Sequence, residues 1–362
     1  MEEIRCYGCG AILQSDDVKK IGYVPKSSLN KDHVLCKRCF RMKNYHELQE
    51  TPLTKDDFLR ILQYIGEKDC LVVYVIDLFD FNGSMVTGLN RHIGGNDILV
   101  LANKRDILPK SLKDYPIEMW VRRQLKEYGI YPKGVVITSS IKNYNFDTIF
   151  DTIQKLRKGR DVYVVGVTNV GKSTFINALL KNYTQDHDMM ITTSEFPGTT
   201  LDLIEIPFDE HSSLFDSPGI INEDQFAHII PVQLLDKILP KSEVRPINYV
   251  IDPNQSFYIG GLARVDFLSG KQQSWQFYFS KNLKIHRTKL EKADDLYNRH
   301  KTLTPELEEI KTVDQMKKYH HKVNKNQDIV ISGLGFIRVN DQCEIDVYVP
   351  DKVSVFIRES LI

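Results

Sequence analysis

The sequence predicts an α/β fold, an open and doubly wound sheet of mostly parallel strands around a phosphate-binding loop, with its segments in permuted order. Three observations carry this expectation. Apolar runs that end on polar residues alternate with helical patterns through the middle of the chain. The last run leads into Gly166-Val167-Thr168-Asn169-Val170-Gly171-Lys172-Ser173, a G-x-x-x-x-G-K-S string whose backbone can wrap a phosphate. The N-K-x-D string Asn103-Lys104-Arg105-Asp106 stands about sixty residues before that loop, whereas the two ordinarily occur in the opposite order.

At 362 residues the chain exceeds one ordinary core, so about two or three domains are expected. Apolar and charged fractions of 42% and 27% are those of a globular protein in water. No apolar run approaches the roughly 20 residues that cross a bilayer, so no membrane partner is expected. The first residues carry Glu2, Glu3 and then cysteines, unlike a secretory signal, and point to the cytoplasm. A formal net charge of zero leaves any nucleic-acid contact to local patches.

Three modules follow in order: 1–52, 53–223 and 224–362. In the first, Cys6-Tyr7-Gly8-Cys9 and Cys36-Lys37-Arg38-Cys39 form C-x2-C…C-x2-C with 26 residues between the pairs. Each knuckle lets two thiolates converge, and four make a tetrahedral zinc site from Cys6, Cys9, Cys36 and Cys39. The intervening loop is longer than the usual about 15–20 residues; buried thiols and a redox pair are the alternatives. The basic run Lys37 to Lys43, with Phe40 inside it, fits either nucleic-acid phosphates or a solvated face.

The second module opens with a helix start at Thr54-Lys55-Asp56-Asp57-Phe58, a cap followed by acids. Buried strands are predicted at Leu71–Ile76, Asp97–Ala102, Gly134–Ile137 and Asp161–Val165, with helices at Glu118–Tyr128 and Phe146–Leu156. In such a sheet the loops at the strand C-termini form the ligand site, and every string found here falls at one of them. The third module is β-rich, α+β in class. Strands are expected at Leu262–Leu268, Ser274–Phe279, Asp328–Ile331 and Cys343–Val349, broken by Gly260-Gly261 and Ser269-Gly270, with a charged helix near Lys289–His300.

The strings define a guanine-nucleotide site. Gly171, with the N–H groups of Thr168, Asn169 and Val170, would wrap phosphate at a helix N-terminus that continues through Thr174. Lys172 would neutralise the β/γ-phosphates and Ser173 would ligate Mg²⁺. Asp216-Ser217-Pro218-Gly219 fits D-x-x-G, with Asp216 holding a magnesium-bound water and Gly219 sensing the γ-phosphate. Phe196-Pro197-Gly198-Thr199-Thr200 falls where switch I belongs, and Thr200 is chosen by spacing to complete the Mg²⁺ shell. The Asp106 carboxylate can accept from guanine N1–H and the 2-amino group together; adenine offers neither. Asn103 and the Lys104 stem would line the base and brace the phosphate loop. Ser139-Ser140-Ile141 stands at the S-A-K position, where a backbone N–H meets the guanine O6, with Ile in place of the usual Lys.

A GTPase normally runs P-loop, switch I, D-x-x-G, N-K-x-D, S-A-K; here the last two come first, joined to the P-loop strand through Lys158-Gly159-Arg160. Together with the cysteine pairs, this constellation resembles the YqeH family of circularly permuted, ribosome-assembly GTPases with an N-terminal zinc finger. The resemblance implies GTP/GDP, Mg²⁺ and Zn²⁺ as cofactors, and GTP hydrolysis coupled to small (30S) subunit assembly. The implied partners are the small subunit or its precursor and rRNA. The alternative is a GTP-dependent scaffold with incidental hydrolysis. Ile220 follows D-x-x-G where many GTPases place a glutamine, so intrinsic turnover is expected to be slow. In related GTPases an asparagine at the position of Asn169 helps hold K⁺, the alternative being a loop brace. Trp275 to Lys289 is the candidate RNA surface through Lys284, Arg287 and Lys289. Trp275, Phe277 and Phe279 fit better as alternate core residues of a strand.

Overall fold

The computed structural model describes residues 4, 6, 12–16, 22–29, 34–37, 55–183, 192–195, 202–217, 219, 222–230, 235, 238–299 and 315–362. Two compact units are present. The first comprises Met1–Leu78, Ser84–Arg105 and Val121–Ile221, and the second Phe79–Gly83, Asp106–Trp120 and Asn222–Ile362.

The α/β elements run α1 (Lys55–Gly66), β1 (Cys70–Asp77), β2 (Asp97–Asn103), α2 (Asp114–Glu127), β3 (Gly134–Ile137) and α3 (Phe146–Arg157). They continue with β4 (Asp161–Val165), α4 (Lys172–Tyr183), β5 (Thr192–Glu195), β6 (Asp202–Pro207) and β7 (Ser213–Asp216). The seven strands form one sheet in the order β3-β2-β1-β4-β7-β6-β5. Every pairing from β3 to β7 is parallel, and β6 runs antiparallel to both its neighbours. β1 is buried at all eight positions, which explains its unbroken Leu-Val-Val-Tyr-Val-Ile run. From β1 the chain winds outward to β3. From β4 it jumps to the opposite edge and returns to β7. The reversal point therefore lies between β1 and β4, and ligands of such sheets bind outside the strand C-termini there.

α2 starts at Asp114 rather than Glu118. Pro116 is no obstacle, because first-turn N–H groups lack a helical partner anyway. The β5–β6 hairpin is absent from the sequence expectations: β5 is four polar residues, and β6 interrupts Leu203, Ile204 and Ile206 with Glu205 and ends on a proline.

The second unit contains β8 (Ile247–Ile251), β9 (Gln255–Ile259), β10 (Ala263–Gly270), β11 (Gln273–Phe279), β12 (Ile285–Lys289) and α5 (Ala293–Arg299). After them come β13 (Lys317–Val323), β14 (Gln327–Ile331), β15 (Gly335–Val339), β16 (Cys343–Val349) and β17 (Val355–Glu359). They form two five-stranded antiparallel sheets, β12-β9-β10-β16-β13 and β17-β14-β15-β11-β8. One apolar core joins them: Phe257 of β9 meets Phe277 of β11 with ring centroids 4.9 Å apart, and Phe267 of β10 meets Trp275 at 5.2 Å. Burying each such ring contributes about 1.5–3 kcal/mol. Trp275, Phe277 and Phe279 are 0%, 1% and 5% exposed, so they pack the core and present no stacking platform.

Two details differ from expectation. Ser269-Gly270 lies inside the end of β10, and the break it signals falls one residue later, at Lys271-Gln272. The pair ends β10 after a register shift between Phe267 and Ser269, where Gly270 takes φ +147° and a Cβ would press on the Phe267 ring. The charged helix starts at Ala293, since Lys289 closes β12 and Leu290–Lys292 form a 3-10 turn. Lys281, Lys284, His286, Arg287 and Lys289 are all exposed, the last three on edge strand β12. Strand alternation sends Arg287 and Lys289 to one face of that edge and His286 to the other.

The two short segments from the 53–223 stretch are built into the second unit by specific bonds. The Gln225 amide donates to Asp80 Oδ2 (2.9 Å) and Gly83 O (2.6 Å), and Asn222 donates to Gly83 O (3.0 Å). Trp120 Nε1 donates to Glu359 O (3.0 Å), and Arg358 Nη1 to Asn82 Oδ1 (3.0 Å). The Arg358 guanidinium lies 5.0 Å from both the Trp120 and Phe336 ring centres.

Candidate guanine-nucleotide site

β4 delivers the chain to Gly166, where a Cβ would stand 2.7 Å from Val75 O of β1; the strands approach too closely there for any side chain. The loop ends at Gly171 with φ +89°, where a Cβ would come 2.5 Å from Asn103 Nδ2. α4 begins on the next residue, and Phe175 N–H donates back to Gly171 O at 2.9 Å. The N–H groups of this first turn, which have no carbonyl partner within the helix itself, and the helix dipole favour an anion at the loop. Asn169 is exposed and takes φ +65°, Val170 is buried, and Thr168 is half-buried. Ser173 is half-buried and Thr174 exposed.

Asn103 closes β2 and links the separated strings. Its Nδ2 donates to Val170 O in the phosphate loop (2.8 Å), while its Oδ1 accepts from Ser140 N–H (2.9 Å) and Ser140 Oγ (3.0 Å). One carboxamide, 2% exposed, thereby sets the spacing between the phosphate loop and the Ser139-Ser140-Ile141 loop. That second loop is shaped by its own bonds: Tyr144 N–H to Ser139 O (3.0 Å), Lys142 N–H to Ser139 Oγ (3.2 Å) and Thr138 Oγ1 to Tyr144 O (2.6 Å). Ser139 and Ser140 are buried and Ile141 is 72% exposed.

Lys104 adopts φ +65°, and its ammonium bonds Asp77 Oδ2 at 2.7 Å. Asn103 braces the phosphate loop through Val170 O. Asp106 is half-buried. Lys172, 1% exposed, places its Nζ 2.7 Å from Asp216 Oδ1 and also donates to Ser217 O. Ser217 is held in turn by Val164 O of β4, through its N–H (3.1 Å) and its Oγ (2.8 Å). The phosphate-side cation and the magnesium-side carboxylate thus meet in one buried pair. Gly219 is buried, and a Cβ there would lie 3.3 Å from Thr168 Cγ2, which ties D-x-x-G to the phosphate loop by close approach. Phe196–Thr200, including the chosen Mg²⁺ ligand Thr200, and Pro218, Ile220 and Ile221 lie outside the described residues.

In the N-terminal module Cys6 and Cys36 are 3% and 1% exposed, and Cys36 N–H donates to Cys6 Sγ at 3.1 Å. One cysteine from each pair therefore comes together, with an N–H aimed at sulfur as a thiolate ligand would want. Cys9, Cys39 and the basic residues Arg38 to Lys43 lie outside the described residues. Among the described residues no group of three or more His, Cys, Asp or Glu side chains is placed to hold a metal.

Asp77, Tyr74 and Ser84 support the site but carry no recognisable string. Ser84 Oγ accepts from Asp77 N–H (2.9 Å), and Tyr74 Oη donates to Ser84 O (2.6 Å) and accepts from Val86 N–H (3.0 Å). Burial pushes the Tyr74 phenol well above its usual range, so it remains a neutral donor. The available signal was an acidic residue ending the strand beside the phosphate-loop strand.

A parallel sheet with G-x-x-x-x-G-K-S, N-K-x-D and D-x-x-G gathered at its switch point defines a P-loop GTPase domain, here in permuted chain order. A family model described as "50S ribosome-binding GTPase" matches residues 161–269, and one described as "YqeH-like, C-terminal" matches residues 272–361. The chain is 48% identical to the uncharacterized protein YqeH of Bacillus subtilis over 372 residues, covering 100% of both chains. It is 28% identical to NO-associated protein 1 of Arabidopsis thaliana, covering 98% of this chain and 76% of that one. The solved structure of GNP-bound YlqF from T. maritima aligns at 20% identity over 51% of this chain and 66% of that chain, with a TM-score of 0.30. The chain belongs to the YqeH family.

Proposed function

We propose that the chain is a slow GTPase switch that acts in assembly of the small ribosomal subunit by binding its rRNA or precursor particle. The observation that carries the nucleotide half is the Asn103 carboxamide bonded at once to Val170 O and Ser140 N–H, which unites strings lying far apart in the chain. In this reading Lys172 neutralises the β/γ-phosphates of GTP, and Ser173, Thr200 and water-linked Asp216 hold Mg²⁺. Asp106 with the Ser139–Ile141 loop selects guanine. Gly219 reads the γ-phosphate, and Asn169 at the exposed rim of the loop takes a K⁺ ion.

A ribosomal partner is supported by the description of the family model matched at residues 161–269. That description names the large subunit, so both subunits belong in the test. The chain leaves D-x-x-G and within a few residues enters the second unit, where Asn222 and Gln225 bond Gly83 O. Loss of the γ-phosphate contact at Gly219 would be transmitted along this path. The exposed cations Lys284, Arg287 and Lys289 are the proposed RNA contacts, through phosphates alone. The testing experiment is GTP turnover with each purified ribosomal subunit, in which the small one should accelerate hydrolysis.

Zinc belongs to the same proposal, held by Cys6, Cys9, Cys36 and Cys39. The buried Cys6–Cys36 contact supports it. Purified chain should carry about one zinc, lost when either pair is changed to serine, with GDP binding retained. Metal analysis finding no zinc would remove this part of the reading.

A further inference from the structure

We propose that Asp77 is a positioning residue of the guanine site: it anchors the Lys104 ammonium and thereby holds the Lys104 stem as one wall for the base. This rests on the guanine-nucleotide reading above. Asp77 closes β1, in register with Asn103 of β2, and β1 is the immediate neighbour of the phosphate-loop strand β4. Its carboxylate therefore stands where the winding of the sheet reverses, at the edge where such sheets bind ligands. Lys104 takes a left-handed backbone conformation, unfavourable for a residue with a side chain and kept only where the surroundings fix it. The 2.7 Å bond to Asp77 joins side chains that are 20% and 10% exposed, partly shielded from water and so stronger than a surface pair.

The anchor itself is fixed. Asp77 N–H is held by Ser84 Oγ, Ser84 O by the buried Tyr74 hydroxyl, and Leu78 N–H extends the ladder to Asn103 O at 3.0 Å. Since Asn103 already braces the phosphate loop, the lysine is released from that task. A free lysine stem has many rotamers, and a base can pack on it only after they are lost. Asp77 removes most of them before the nucleotide arrives, which is affinity gained by pre-organisation.

The effect should differ from that of Asp106. A stem lying along the base plane contacts every purine of this class, whatever its exocyclic groups. Asp77→Asn should weaken GDP, GTP and inosine diphosphate by the same factor, about tenfold for loss of one charge-assisted anchor. KM should rise with kcat nearly constant. Lys104→Met, which keeps the stem and deletes the charge, should lose a similar factor, and the double variant should lose no more than either single one.

Titration of the wild type, the two single variants and the double variant with GDP and inosine diphosphate tests this. Additive losses, a loss that depends on the 2-amino group, or undiminished binding by Asp77→Asn would each overturn the proposal. Failure of the wild type to bind GDP would instead overturn the guanine-site reading beneath it. If Asp77→Asn does not fold, Asp77→Ser, which leaves room for water at the ammonium, carries the same expectations.

Discussion

Replacing Asp106 by asparagine is expected to lower GTP and GDP affinity on the order of a thousandfold and to favour xanthine nucleotides. The carboxylate is the one group proposed here that accepts from both guanine N1–H and the 2-amino group. An amide in its place presents a donor toward one of those donors and leaves a bond unmade on each side. Sites built around such bonds reject mismatched ligands by several orders of magnitude. Xanthine carries a carbonyl where guanine carries the 2-amino group, so the amide can donate to it. Titration with GDP and xanthosine diphosphate measures the exchange. Unchanged GDP affinity in the variant would show that Asn103–Asp106 is not the base-recognition string.

Lys172→Ala is expected to abolish measurable turnover, a loss of about a thousandfold or more, as befits removal of the main cation from a phosphoryl-transfer site. It should also destabilise the chain. Lys172 and Asp216 are 1% and 5% exposed and form a 2.7 Å pair, so deleting either leaves the other charge buried and uncompensated. Breaking such a pair costs about 3–5 kcal/mol, whereas replacing both members with apolar groups is often neutral. Lys172→Ala and Asp216→Asn should therefore each lower the midpoint of thermal unfolding, and Lys172→Met combined with Asp216→Leu should recover it while remaining inactive. A single variant with wild-type stability would mean that the buried pair is not formed in solution. A Lys172→Ala chain with wild-type turnover would remove the phosphate loop from catalysis.

β1 to β4, which position most of the site, were readable because they are buried on both faces, which forces an unbroken apolar run such as Leu71–Ile76; β7, buried only at alternate positions, was not. The strings at their ends were readable because phosphate and guanine restrict backbone and side-chain chemistry to few solutions. Elsewhere the sequence spoke less clearly. β12 and β13 are edge strands whose polar and basic residues meet solvent, and edge strand β8 exposes Ile247 and Val250, so none shows clean alternation and none was anticipated. Asp77 was visible only as a strand terminus. Its bond to Lys104 depends on the pairing of β1 with β2, which no local pattern encodes. Phe79–Gly83 and Asp106–Trp120 fall inside the 53–223 stretch, and nothing in their sequence marks them as part of the second unit, to which they belong. Gln225, Asn222 and Arg358, distant in sequence, hold the first of them there.

The most direct test of the central claim is GTP turnover by the purified chain alone, with small ribosomal subunits, and with large ribosomal subunits, each in potassium and in sodium buffer. The account predicts slow hydrolysis by the chain alone, faster in potassium by on the order of tenfold, the scale of about 1.4 kcal/mol of transition-state stabilisation. It predicts further acceleration by small subunits and none by large ones. Acceleration by large subunits alone would reassign the partner. A chain that hydrolyses GTP at one rate under all six conditions would contradict the switch and leave a GTP-binding scaffold.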